Sequence, residues 1–103
     1  MALELRPNCE YCDKDLVPDA MDARICTYEC TFCASCVDTH LQNVCPNCGG
    51  GFVCRPIRPT TEWRPGVSLA KQPASSKRVR LSYDLEDIVR HVVRIKDIGP
   101  VDR

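Results

Sequence analysis

Eight of the nine cysteines in this 103-residue chain lie between positions 9 and 48, in the order Cys9-x2-Cys12-x13-Cys26-x3-Cys30-x2-Cys33-x2-Cys36-x8-Cys45-x2-Cys48. Three of the pairs have the two-residue gap. That gap lets a tight turn aim both sulfurs at one ion about 2.3 Å away. Four thiolates fill a zinc tetrahedron and leave no position for water, so such a site is structural and not catalytic. Cys45-Pro46-Asn47-Cys48-Gly49 adds turn chemistry, because proline presets φ and glycine lets the chain turn after the second sulfur. Four-cysteine sets also hold iron–sulfur clusters, but the regular pairs and the Cys-Pro-x-Cys-Gly turn favour zinc. Spacing alone permits two groupings. The pairs can be used in order, as Cys9/Cys12/Cys26/Cys30 and Cys33/Cys36/Cys45/Cys48. They can also interleave, as Cys9/Cys12/Cys33/Cys36 and Cys26/Cys30/Cys45/Cys48.

Composition shows why metal is needed. The chain has one tryptophan, three tyrosines and two phenylalanines, and so small a core rarely supplies more than a few kcal/mol. A disulfide framework is the other use of many cysteines. The opening segment has charges at Glu4 and Arg6 and no apolar run, so no secretory leader or membrane span is expected. The expected location is cytoplasmic, where thiols stay reduced. Structural zinc is worth about 10–16 kcal/mol per site in peptides, as much as a whole domain's usual stability. The metal-free chain is therefore expected to be unfolded through residue 54.

The elements that position the sulfurs are short. Arg24-Ile25-Cys26 and Thr31-Phe32-Cys33 can form a hairpin. Ala34, Val37, Leu41 and Val44 share a helical face, with Cys36 in the first turn. Residues 55–77 carry Pro56, Pro59, Pro65 and Pro73, so an extended, loosely held linker is expected. Val79, Leu81 and Tyr83 alternate with polar residues at strand spacing. Leu85, Ile88, Val89, Val92 and Ile95 follow at helical spacing, with Asp84 as cap and Gly99-Pro100 as stop. The division expected is 1–54 for the cysteine domain, 55–77 for the linker and 78–103 for a β–α tail.

Two resemblances follow. The cysteine spacing, Phe32 before Cys33, the helix after Cys36 and Pro46 after Cys45 resemble the RING-finger cross-brace over residues 9–48. That resemblance implies interleaved pairing. Site 1 is then Cys9, Cys12, Cys33 and Cys36, and site 2 is Cys26, Cys30, Cys45 and Cys48. Leu5-Arg6-Pro7-Asn8-Cys9, Asp13-Lys14-Asp15-Leu16, Glu29-Cys30-Thr31-Phe32-Cys33 and Val44-Cys45-Pro46-Asn47-Cys48-Gly49-Gly50 also resemble a bacterial family of small cysteine-rich proteins, domain-of-unknown-function family 1272, over about residues 1–59. That family implies no activity. The fold class expected is a small metal-stabilised α+β module, RING-like or treble-clef, with two zinc ions, a short hairpin and one helix, plus the β–α tail. A RING ligase would dock a conjugating enzyme near Tyr11 and Pro46, but Gly49 stands where the linchpin cation belongs.

The remaining residues are read blandly. His40 is a surface or half-buried histidine, His91 is without function, and Cys54 is a spare thiol. Residues 1–50 carry three basic and eight acidic side chains, and residues 51–103 carry eleven and six. Arg55, Arg58, Arg64, Lys71, Lys77, Arg78 and Arg80 face one acid, Glu62, across 55–80. With Trp63 able to stack on a base, that segment is the alternative nucleic-acid binder. No phosphate loop, nucleophile elbow or acidic pair at an open metal site is present, so no catalysis is expected, and neither a membrane nor a small-molecule substrate. The function expected is a protein–protein adaptor using Tyr11, Leu16, Val17 and the Val37/Leu41 helix.

Overall fold

The hairpin forms because Ala23, Arg24 and Ile25 pair in antiparallel register with Cys33, Phe32 and Thr31. These strands, β1 (Ala23–Ile25) and β2 (Thr31–Cys33), are two-thirds of a three-stranded sheet of order β2-β1-β3. The third strand, β3 (Val53–Cys54), pairs with β1 and was not anticipated, being only two residues long. The structure is a computed structural model that describes residues 2–103. After β2 the chain enters α1 (Ala34–Cys36), which runs on into a wider π-helical turn, Val37–Leu41. Gln42 and Asn43 end it with left-handed backbone, φ 48° and 62°, a conformation that amide side chains tolerate. The architecture is small α+β.

The core is thin and contains sulfur. Phe32, Leu41 and Val44 are fully buried with Leu16, Ala23 and Val37, and six cysteines share the same cluster. Phe52 packs edge-on against Phe32 at 5.3 Å between centroids. Ile88 and Val92 complete this core from the second helix, α2 (Leu85–Ile95). The Asp84 side chain caps α2 by accepting from Asp87 N at 2.8 Å, which satisfies one orphan donor of the first turn. The residues after position 77 therefore pack on the cysteine region.

The attachment is made mainly by side chains that bond to backbone. Asn8, fully buried, clamps residue 79 from both sides. Its Nδ2 donates to Val79 O at 2.8 Å, and its Oδ1 accepts from Val79 N at 3.2 Å. Leu81 N donates to Glu10 O at 3.1 Å. The stretch 79–83 carries strand spacing but no assigned strand. It runs beside residues 8–10, where the Asn8 amide takes the place of a ladder. Arg78 reaches Asp13 and Asp15, the latter at 2.6 Å.

Residues 55–77 differ from a free linker for a similar reason. Arg55 is 4% exposed, its guanidinium donating to Arg6 O and Val17 O at 2.8 and 2.9 Å. Arg58 donates to Gln72 O and Leu3 O, and Leu69 N to Pro59 O at 2.8 Å. A guanidinium presents several donors in a rigid fork and can bridge two carbonyls, so two arginines tie this proline-rich stretch down. With Arg78 and Arg80 paired to Asp13, four of the seven cations of 55–80 already have acceptors within the chain.

The two faces of α2 make a direct check. Ile88→Ala should cost about 2–5 kcal/mol by lost burial and cavity formation, whereas Val93→Ala, at an exposed position of the same helix, should stay within about 0.5 kcal/mol. Denaturant unfolding of metal-loaded protein measures both. Equal effects would mean that α2 does not seat in this core.

Candidate metal centres

Two knuckles of the same construction hold the outer cysteine pairs. In the first, Asp13 N donates to Cys9 O and Cys9 N to Lys14 O, both at 2.8 Å. In the second, Gly49 N donates to Cys45 O and Cys45 N to Gly50 O, again at 2.8 Å. The residue after the second cysteine is left-handed in each, Asp13 at φ 67° and Gly49 at φ 79°. At Gly49 the conformation suits glycine, and a Cβ would also meet Ile95 Cδ1 at 3.4 Å. Cys26 and Cys30 sit instead in the β1–β2 turn, where Glu29 takes φ 66° and Cys26 N donates to Cys30 O at 3.2 Å.

The sulfurs of Cys9, Cys12, Cys33 and Cys36 all lie within 4.8 Å of one another. Those of Cys26, Cys45 and Cys48 do the same. The grouping interleaves along the chain. Cys30 stands outside the second group by that distance, but its sulfur contacts those of Cys45 and Cys26 and accepts from Asn47 Nδ2 at 3.4 Å. No cysteine among the described residues is in a disulfide.

Donor geometry tests the fit of a metal. Sulfurs about 2.3 Å from a tetrahedral centre are separated by about 3.8 Å, whereas a disulfide needs about 2.05 Å. Cys12 and Cys33 sulfurs are 3.8 Å apart. The first cluster therefore has the span of a four-coordinate soft-metal site, and the thiol donor set suits zinc. Backbone N–H groups also face the sulfurs, Tyr28 N at 3.3 Å from Cys26 Sγ and Gly50 N at 3.4 Å from Cys48 Sγ.

The thiols cannot all ionise without a cation. Burial pushes Cys9 and Cys36 up and Cys26 up to about 11. The bond between Cys45 and Cys30 raises Cys45 and draws Cys30 down to about 5, with Asn47 assisting at Cys30. Cys12 is lowered although burial opposes it, because Lys14 N–H and the neighbouring thiols donate to it. Each cluster thus sets a thiol with a lowered pKa beside thiols whose pKa is raised. A divalent ion must displace thiol protons to bind, so its hold weakens as pH falls.

One buried carboxylate links the clusters and was missed in the sequence. Glu10, between Cys9 and Cys12, is 2% exposed. Its Oε2 accepts from Thr31 N, next to Cys30, at 2.6 Å and from Arg6 Nη1 at 2.8 Å, while Glu10 N donates to Thr31 O at 2.9 Å. Burial raises its pKa, against the pull of Thr31 N–H and Arg6. The only sequence signal was the placement of Arg6 and Glu10 four apart around a cysteine.

Several other residues lie where they were not expected. Leu16, Val37 and Leu41 are buried, and Pro46 with them, so the adaptor surface drawn through that helix is core. Helix α2 packs on the Val37–Leu41 turn, and its Ile88 and Val92 share the buried cluster with Leu16, Val37 and Leu41. Tyr11 is half-buried and stacks on His40 at 4.7 Å. His91 Nε2 bonds Cys45 O at 2.9 Å, so it braces the second knuckle. Cys54 lies exposed on β3, apart from both clusters.

An α+β module carrying two thiol clusters that could hold metal ions defines a small cysteine-rich class of protein. The chain belongs to the family described as protein of unknown function (DUF1272), whose family model matches residues 2–58. An uncharacterized protein of Rhizobium meliloti (strain 1021) is 58% identical over 77 residues, which is 75% of this chain and 84% of that relative. No solved structure gives a significant match. No helix among the described residues is long and apolar enough to cross a membrane.

The Glu10 strap can be tested by two substitutions. Glu10→Ala leaves Thr31 N–H without its carboxylate acceptor and Arg6 with Glu4 alone, and should cost about 3 kcal/mol. Glu10→Gln keeps an acceptor and should cost less. Both are measured by denaturation of the metal-loaded protein. Equal losses would show that the carboxylate's volume matters and its hydrogen bonds do not.

Proposed function

We propose that this protein is a structural-zinc module that works as a protein–protein adaptor, with two zinc ions and no catalysis at the metal. The first cluster carries the reading, since four sulfurs lie mutually within 4.8 Å with one edge at 3.8 Å. A metal held by four thiolates has no open position for substrate or water. Site 1 is Cys9, Cys12, Cys33 and Cys36. Site 2 is Cys26, Cys45 and Cys48, with Cys30 closing on the ion from its place beside Cys45. The interleaved pairs make the likeness to the RING cross-brace, but ligase activity is not part of the proposal. Pro46 is buried, and Gly49 lies beneath Ile95 and His91 with no cation.

An adaptor acts through its surface. Met21, Tyr28 and Val53 are large apolar side chains 80%, 71% and 66% exposed. They are the contacts proposed in place of the buried helix.

Native mass spectrometry of the purified chain should find two zinc ions, with Cys54→Ser keeping both and Cys33→Ser losing the first. Chelation should unfold the cysteine region, and acidification should release metal as thiols regain protons. Far-UV circular dichroism that is unchanged after complete demetallation would sink the zinc reading. The adaptor role predicts a stoichiometric protein partner for the loaded chain, lost on Tyr28→Ala with both zinc ions retained.

A further inference from the structure

Helix α2 is anchored along one stripe and bare along the adjoining one. Ile88 and Val92 are buried in the core, and His91 holds Cys45 O. On the flank beside them Leu85, Val89 and Val93 are 66%, 59% and 58% exposed. Single exposed apolar residues need no explanation, but these three repeat every fourth position and form one continuous ridge. Ridges of that spacing are the ones that interdigitate when two helices cross. The charges of the helix are also ordered. Asp84, Glu86 and Asp87 occupy its start, and Arg90, Arg94 and Lys96 its second half and end.

We propose that this ridge is a self-association surface, with α2 of one copy packing antiparallel on α2 of a second copy. A two-fold axis through Val89 sets Val89 on Val89 and Leu85 against Val93 of the second copy. The ridge is thus complementary to itself, as a two-fold interface requires. On the rim Glu86 falls between Arg90 and Arg94 of the second copy, and the acidic end of each helix meets the basic end of the other. A parallel pairing would place like charges together. Within one copy Glu86 has only a 3.7 Å pair with Arg90 at a fully solvated position, so it is free to turn to the second copy. An eleven-residue helix is about 16 Å long, so the contact is small and the dimer concentration-dependent. The inference goes beyond the adaptor reading and stands or falls apart from it.

Sedimentation of the metal-loaded chain over a rising concentration series tests it. The expected result is a monomer–dimer equilibrium that Val89→Glu abolishes, with metal content and circular dichroism unchanged. Charge variants then fix the orientation. Glu86→Arg alone makes one flank wholly basic, and Arg90→Glu with Arg94→Glu makes it wholly acidic. Each should be monomeric alone, and an equimolar mixture should dimerise again. A chain that stays monomeric up to millimolar concentration overturns the proposal. A dimer indifferent to Val89→Glu overturns it also, because the interface then lies elsewhere.

Discussion

The crowding of sulfur atoms into two clusters, which a bound cation would relieve, is the constraint from which the rest of this structure follows. Buried cysteines occupy the places where a larger domain would have leucine and phenylalanine. Sulfurs gathered as tightly as Cys9, Cys12, Cys33 and Cys36 can share protons, bridge covalently or bind a soft metal. The 3.8 Å separation of Cys12 and Cys33 is far too long for a disulfide and equals the edge of a tetrahedral thiolate site. The β1–β2 hairpin carries sulfurs to both clusters, Cys33 at the end of β2 and Cys26 and Cys30 in its turn. Three paired residues separate the two ends, so each cluster sets the angle at which the other's ligands arrive.

A chain with so few strands leaves many backbone groups without ladder partners, and buried backbone polar groups must be satisfied somehow. Here side chains provide the partners. Asn8 brackets Val79, and Glu10 receives Thr31 N–H. Arg55 and Arg58 each bridge two carbonyls from distant segments, and Arg103 Nη1 reaches Asn43 O at 2.7 Å. These bonds join stretches up to seventy-one residues apart. They give a 103-residue chain a single body where apolar burial alone would leave the last half adrift. Arginine suits the task because its planar fork can reach two acceptors without rearrangement.

The packing of α2 decides what surface remains. The helix packs on the Val37–Leu41 turn and brings Ile95 and His91 over Gly49. Gly49 is glycine because φ is 79°, a backbone conformation that side chains other than glycine's adopt only with strain. The absence of a cation at that position therefore has a backbone reason.

Local chemistry was legible in the residues alone. The paired cysteines announced two clusters, Gly49 announced a left-handed turn, Asp84 announced a cap, and the segments Arg24-Ile25-Cys26 and Thr31-Phe32-Cys33 announced the hairpin. Each depends on neighbours within a few positions, where covalent geometry limits the choices. What spacing left open was every relation between distant segments. It allowed in-order or interleaved cysteine groups, and only the folded chain brought Cys33 to Cys12. It displayed Arg55 and Arg78 as surface charge, although folding commits one to buried carbonyls and the other to Asp13 and Asp15. It marked Leu16, Val37 and Leu41 as apolar without saying that α2 would cover them. Periodicity identifies an apolar face, but the partner of that face is set by long-range packing, which no local pattern encodes.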